Sequence, residues 1–362
     1  MAHADGRAAG ARVQRDGYGE RTPFEAIEVG KSLGQIEWTP TQSQVDQVCE
    51  RMEDHHPFYE VDSPFGGTVV PIGMTYLPGR RLLYQTYNVR GLLYKWRTEL
   101  HGPIGAGLAY LFEAAIADKW VRNQREFIAY DARCTDVASG QVVMTTRRSH
   151  VLDFIKRTAP REGGGNEPAA EAADTTAGQT RAPPPPRQEY WDPDWPASDT
   201  AARTGRIDVV PLARADSPVG APLPTCSLYL SRAKFFKRQS QYWGNVRSNL
   251  HLDARSAQRE GLSAPVAAAP DLMALCHQAA MQFFGAGWIA GGQAELACIK
   301  PTYMGEYLCH GGAIKSREVL CDGRVRLNCD VWVVNQRDEK KIFGTVSGIA
   351  AQQARTVATD NH

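Results

Sequence analysis

Two short polar segments hold the side chains best suited to moving protons. One is Asn249-Leu250-His251-Leu252-Asp253, with Arg247 just ahead of it, and the other is Asp54-His55-His56-Pro57-Phe58-Tyr59. An imidazole changes charge near neutral pH, so a histidine with a carboxylate in the same cleft makes an acid and base pair. Each group also has a plainer reading. Asp253 stands where it would cap a helix beginning near Ala254, and Asp271 falls in the first turn of an apolar helix, a favourable place for any carboxylate. Asp54 ends a helix, against the helix dipole, and charged His55 or His56 would lower its pKa. Tyr59 and Tyr303 are aromatics of the type that packs a core with a wet hydroxyl. Lys234, Lys237, Arg238 and Arg247 suit either a phosphate at a cleft mouth or a solvated helix face.

The elements that must position these groups occur twice. The spacing predicts a helix over Thr41 to Met52, an irregular segment holding Asp54 and Tyr59, and an apolar central helix within Val69 to Leu83. Strands are then expected near Tyr87 to Leu100, Gly107 to Asp118, Arg125 to Asp136 and Gln141 to Leu152. The second region repeats the order. A strand at Ser227 to Leu230 and a helix over Lys234 to Trp243 precede the His251 segment and an apolar helix over Asp271 to Phe284. Strands follow near Gly292 to Lys300, Glu306 to Val319, Arg324 to Asn335 and Lys341 to Ala350. A Pro-x-x-x-Gly step, Pro103 to Gly107 and Pro301 to Gly305, recurs before the second long strand of each half, with the register drifting by only six residues, which points to an internal duplication. The expected boundaries are a disordered start (1–20), a first half (21–156), a Pro/Gly/Ala-rich linker (157–205), a second half (206–352) and a tail (353–362).

Composition narrows the partners. Forty-one Lys and Arg against forty Asp and Glu leave a net charge of +1, which argues against nucleic acid. Basic runs such as Arg147-Arg148 read as solvated strand ends. No apolar run approaches the ~18 residues needed to cross a bilayer, and Met1 to Tyr18 is polar, so a cytoplasmic chain without membrane contact is expected. The eight cysteines form no C-x-x-C or zinc pattern and read as buried free thiols. No nucleotide, flavin or metal motif is present, and no cofactor is expected.

A long helix wrapped by an antiparallel sheet, twice over, is the plan of an α+β double hotdog protein. Asn249 to Asp253, with Ala257, Gly261-Leu262 and Pro265-Val266-Ala267, resembles the hydratase signature of the MaoC-like (R)-specific enoyl-CoA hydratase and dehydratase superfamily. Asp54 to Tyr59 with Ser63 to Gly67 resembles the first half of its two-domain members, and Ile299 to Glu306 is similar to their K-P-x-x-x-G-D strand start. The resemblance implies a hydro-lyase acting on an unsaturated acyl thioester, with coenzyme A or a carrier protein as handle, and with a homodimer as one admissible assembly. In such chemistry one group takes a proton from water and another delivers one to the α-carbon, while helix N–H groups stabilise the thioester oxygen.

The pattern is incomplete in both halves. His251 matches the catalytic histidine, but Val246 stands at the aspartate position and Ala268-Ala269 replaces His-Gly. Conversely, Asp54 matches the aspartate, but Tyr59 holds the histidine position and Pro71-Ile72 replaces His-Gly. The resemblance therefore implies His251 as principal acid or base, oriented by Asn249, with Asp54 or Asp271 as partner. Tyr59, Arg247, Asp253 and Ala269 are the expected substrate contacts. Asp271 near the oxyanion position would repel an enolate, whereas turned into the cleft it would replace the missing base. Two other readings stay open: a cyclase or isomerase of a non-thioester substrate using the same cleft, and a non-catalytic acyl-binding protein.

Overall fold

The computed structural model describes residues 22–89, 91–152, 212–231, 235, 250–259 and 262–351. The expected linker and tail, and all of the helix over Lys234 to Trp243 except Phe235, lie outside these residues, as do Arg247 and Asn249. In the first half the order is β1 (Ser32–Trp38), α1 (Gln42–Met52), α2 (Pro57–Glu60), a 3₁₀ turn (Ile72–Thr75), α3 (Tyr76–Thr86), β2 (Gly91–Leu100), β3 (Tyr110–Arg122), β4 (Arg125–Asp136) and β5 (Val142–Leu152). In the second it is β6 (Ser227–Tyr229), α4 (Ala254–Arg259), α5 (Ala269–Phe284), α6 (Ala286–Ile289), β7 (Gln293–Cys298), β8 (Tyr307–Val319), β9 (Val325–Asn335) and β10 (Lys340–Ile349).

The described strands form one antiparallel sheet in the order β1-β3-β4-β5-β2-β7-β10-β9-β8-β6. The halves meet where β2 pairs with β7, Lys95 to Glu99 running against Ala297 to Gln293. Alternation of buried and open positions, clearest in β3 and β9, gives the sheet one apolar face. α3 packs on β1 and β3, and α5 on β10 and β9, each covering its own half's strands. The opposite face is polar and carries cross-strand ion pairs, among them Arg133–Glu113, Arg147–Asp131 and Lys315–Asp330.

That alternation corrects the reading of Arg147-Arg148. Arg147 turns outward to Asp131, whereas Arg148, one position on, points inward and is fully buried. The central helix of the first half also differs from expectation. Its first turn is 3₁₀ and the α-helix begins only at Tyr76. Pro71 precedes that turn with extended backbone, and Pro78 is tolerated because it falls in the first α-helical turn, where its missing N–H has no partner to lose. β1 was not expected at all; its mostly open face and the bulge at Gly34 (φ +84°) hide the strand pattern.

The similar Pro-to-Glu step at the start of β8 has a structural explanation. Glu306 is fully buried, accepts from the Tyr303 N–H at 3.1 Å and from Asn335 Nδ2 at 2.9 Å, and pairs with buried Lys341 at 3.1 Å. Lys341 also donates to the Pro301 carbonyl and to Glu339. A fully partnered charge network thus fixes the turn and leaves no donor of Lys341 exposed to an apolar wall.

Candidate functional site

The site is assembled where the first half's irregular segment meets the second half's central helix. Helix α1 has a capping box, Thr41 accepting from the Gln44 N–H and Gln44 accepting from the Thr41 N–H. It ends at Glu53, whose left-handed backbone (φ 54°) reverses the chain and turns Asp54 inward. The Asp54 N–H donates to the Cys49 carbonyl at 3.0 Å, which locks that reversal. His56 then caps α2, its Nδ1 accepting from the Phe58 N–H at 3.2 Å, with Pro57 as the first helical residue. Gln42 Nε2 donates to the Tyr59 carbonyl at 2.8 Å, so the start of α1 holds α2 in place.

Across from this segment, α5 presents Asp271, Ala274, His277 and Gln278 at helical spacing. Gln278 Nε2 donates to the Glu53 carbonyl at 3.1 Å and ties the two halves together beside Asp54. A small cavity lies between them, lined by Asp54, Tyr59, Gly73, Ala274, His277 and Gln278 and walled by Val48, Met52, Pro71 and Ile72. Its volume of about 10 Å³ gives room for roughly one water molecule. Gly73 lets the turn and α5 cross closely, since a Cβ there would sit 3.1 Å from that of Ala274.

Burial reverses the usual order of the ionisable groups. Asp54 is pushed up to about 7 by desolvation, with a smaller upward push from Glu60, against a hydrogen bond from the His56 N–H. His277 is pulled down to about 3 by burial and by the Arg148 cation. Tyr59 is held well above the phenol range by burial and by Asp54, so its hydroxyl keeps its proton. Near neutral pH the aspartate is thus the group that gains and loses a proton, and the histidine is neutral. One carboxylate oxygen of Asp54 and both ring nitrogens of His277 lack hydrogen-bond partners among the described residues. Buried polar atoms left open in this way suit a bound water or a substrate atom.

The expected lowering of Asp54 by its histidine neighbours is not found. His56 is itself pulled down to about 4 by burial, and His55 is 2.8 Å from Glu60. Asp271 is buried and lies 3.9 Å from Arg51 of α1, so its charge has a counter-ion rather than an open path to the cavity. Asp253, read as a substrate contact, accepts from the Ser256 N–H at 2.8 Å and caps α4. Ala269 opens α5 and packs against the core.

His251 occupies a different neighbourhood from Asp54. Its Nδ1 lies 2.8 Å from the Val266 carbonyl, an acceptor only, so the proton is on Nδ1 and Nε2 is the basic nitrogen. Leu250 and Val266 belong to a small second apolar cluster with Leu262, Ala264 and Tyr303. His251 does not line the cavity that holds Asp54, Tyr59 and His277.

His277 was missed by sequence reasoning, which took the whole of α5 as apolar. The signal was a His-Gln pair within Ala-Leu-Cys-His-Gln-Ala-Ala, a polar interruption in the middle of a buried stripe. Among the described residues no group of three or more His, Cys, Asp or Glu side chains is arranged to hold a metal. No described helix is long and apolar enough to cross a membrane.

No family model matches the chain, and no curated protein matches it in sequence. Solved structures do. A MaoC-like dehydratase superposes with a TM-score of 0.65 at 20% identity, over 91% of this chain and 100% of that one. A conserved hypothetical protein from Mycobacterium tuberculosis, described as a double hotdog, gives 0.57 at 14% identity, over 91% and 99%. A MaoC-like dehydratase from Phytophthora capsici gives 0.56 at 13% identity, over 92% and 100%.

Proposed function

We propose that this chain, which has the double hotdog fold of the MaoC-like dehydratases, is a hydro-lyase that adds water to, or removes it from, an unsaturated acyl thioester or related carbonyl compound. The observation that carries the reading is the inter-half cavity itself, where Asp54, with one carboxylate oxygen open, and His277, whose ring nitrogens have no hydrogen-bond partner among the described residues, line the same space; burial raises Asp54 to about 7 and keeps His277 neutral. A general base works best when its pKa is near the working pH, and Asp54 meets that condition.

In the hydration direction ionised Asp54 takes a proton from the water as its oxygen bonds to the β-carbon. The resulting acid then returns a proton to the α-carbon, so the group is regenerated in each cycle. Neutral His277 orients the water, since its ring offers one donor and one acceptor. Tyr59, held protonated, is a donor for an oxygen of the substrate. This reading moves the proton carrier from His251 to Asp54. In it, His251 serves the second half, its ring held by the Val266 carbonyl.

The test is turnover of short and medium 2-enoyl-CoA compounds in ¹⁸O-labelled water, followed by mass spectrometry of the 3-hydroxyacyl product. Label incorporation by the wild type, lost in Asp54→Asn and kept in His251→Gln, is expected. Loss in His251→Gln with retention in Asp54→Asn would move the chemistry to the second half.

A further inference from the structure

Arg148 is the most unusual buried group in the first half. It is fully buried, and its described partners are carbonyls, the Tyr130 hydroxyl and rings rather than a carboxylate. Its Nη1 donates to the Tyr76 carbonyl at 2.8 Å and its Nη2 to the Thr75 carbonyl at 2.9 Å. Those carbonyls sit where the 3₁₀ turn passes into α3, immediately after the cavity-lining Ile72 and Gly73. The guanidinium centre lies 5.0 Å from the ring centres of both Tyr76 and Trp96. Trp96 in turn meets His277 edge to face at 5.1 Å, and its Nε1 donates to Thr146 Oγ1 at 2.9 Å. Gly79 makes the approach feasible, since a Cβ there would lie 2.6 Å from Arg148 Nη1. One side chain therefore touches both walls of the cavity, the 3₁₀ turn directly and His277 through a single indole.

We infer that Arg148 is a positioning residue for the Asp54–His277 cavity, clamping the 3₁₀ turn and backing His277 through Trp96. The inference rests on the reading of that cavity as the site of chemistry. The charged and titratable groups facing His277 are Asp54 and Tyr59 across the cavity, the Arg51–Asp271 pair toward the start of α5, and Arg148 behind Trp96. On the remaining side the indole of Trp288 covers the ring at 5.8 Å. Arg148 is, among the described residues, the cation in that set without a carboxylate beside it, and it disfavours a second positive charge on the imidazole. Burial sets most of that preference; Arg148 adds to it and fixes the indole face that holds His277 beside the cavity while Asp54 carries the proton.

The experiment is a ¹⁵N-histidine NMR titration of the full chain, with the His277 signal identified by its absence in His277→Gln. It compares the wild type with Arg148→Met, which removes the charge, and with Arg148→Lys, which keeps it. For a cation within about 10 Å the methionine variant should raise the His277 midpoint by about one pH unit, with the lysine variant close to wild type. An Arg148→Met protein that folds and titrates His277 as the wild type does overturns the proposal. Should that variant fail to fold, Arg148→Gln makes the same comparison, and failure of both would make Arg148 a folding residue and overturn it equally. Because the readout is not turnover, it stands apart from the hydration test. Where enoyl thioesters are turned over, Arg148→Met lowers kcat more than it raises KM.

Discussion

Replacing Asp54 by asparagine should stabilise the protein at alkaline pH. In the folded chain Asp54 keeps its proton up to about pH 7, chiefly because burial disfavours its charge, whereas in the unfolded chain it ionises at the ordinary value of 3.8. Between those values the folded state binds more protons, so stability falls as pH rises. The contribution of protonated Asp54 is fully present below about pH 4 and gone above about 7. A shift of about 3 units corresponds to ~4 kcal/mol, reached at about 1.4 kcal/mol per pH unit. Asparagine is nearly isosteric and never ionises. The difference in unfolding free energy, Asp54→Asn minus wild type, should therefore be small near pH 4, climb through pH 5 and 6, and level off above 7. Denaturant titration at several pH values reads it directly, and other titrating groups cancel in the difference if they do not couple to this site. A difference that stays flat between pH 5 and 8, or an Asp54→Asn protein less stable than wild type at pH 8, would refute the burial argument.

Further outcomes follow from other buried groups. His277→Met fills the same volume without two unpartnered nitrogens, so it should gain about 1–3 kcal/mol in thermal or chemical unfolding while turnover drops by ~10² or more. His56, His150, His277 and His310 are all pulled down by burial, to about 4, 3, 3 and 4. Unfolded chains take up protons near pH 6.5 that the folded chain refuses, so stability is complete above 6.5 and should decline steadily from pH 6.5 to 4. Calorimetry across that range checks it, and a flat profile would contradict the neutral burial of these rings. Glu306→Gln leaves buried Lys341 with Glu339 as its remaining carboxylate and should cost about 1–3 kcal/mol in chemical denaturation. Thr41→Ala, which removes one arm of the α1 capping box, should cost ~1 kcal/mol.

Much of the architecture was legible because local patterns carried it. β4 was expected over Arg125 to Asp136 and β5 over Gln141 to Leu152, and the strands run Arg125–Asp136 and Val142–Leu152. The edge strand β1 was not legible, since few of its residues are buried and Gly34 breaks the alternation. The delayed start of α3 was not legible either, since the Ile72–Thr75 turn makes a contact with Arg148, far away in the chain. Asp54 was legible from its motif position, but its raised pKa was not, because its burial depends on α1, the Pro71–Gly73 turn and α5 of the other half closing over it. His277 looked like part of an apolar stripe. Its exposure to the cavity and its contact with Trp96 arise only when the two halves share one sheet. Conversely, the His251 segment matched a motif well, yet the motif could not reveal that its ring lies apart from the cavity that Asp54 lines.

The central claim is that one carboxyl group, poised near neutrality between the halves, carries the proton for water addition. The pH dependence of kcat/KM for hydration of a 2-enoyl thioester tests it most directly. The account predicts a rising limb with a midpoint near 7 in the wild type that vanishes, with a loss of ~10² or more, in Asp54→Asn. A variant that retains both the rate and the limb would contradict it.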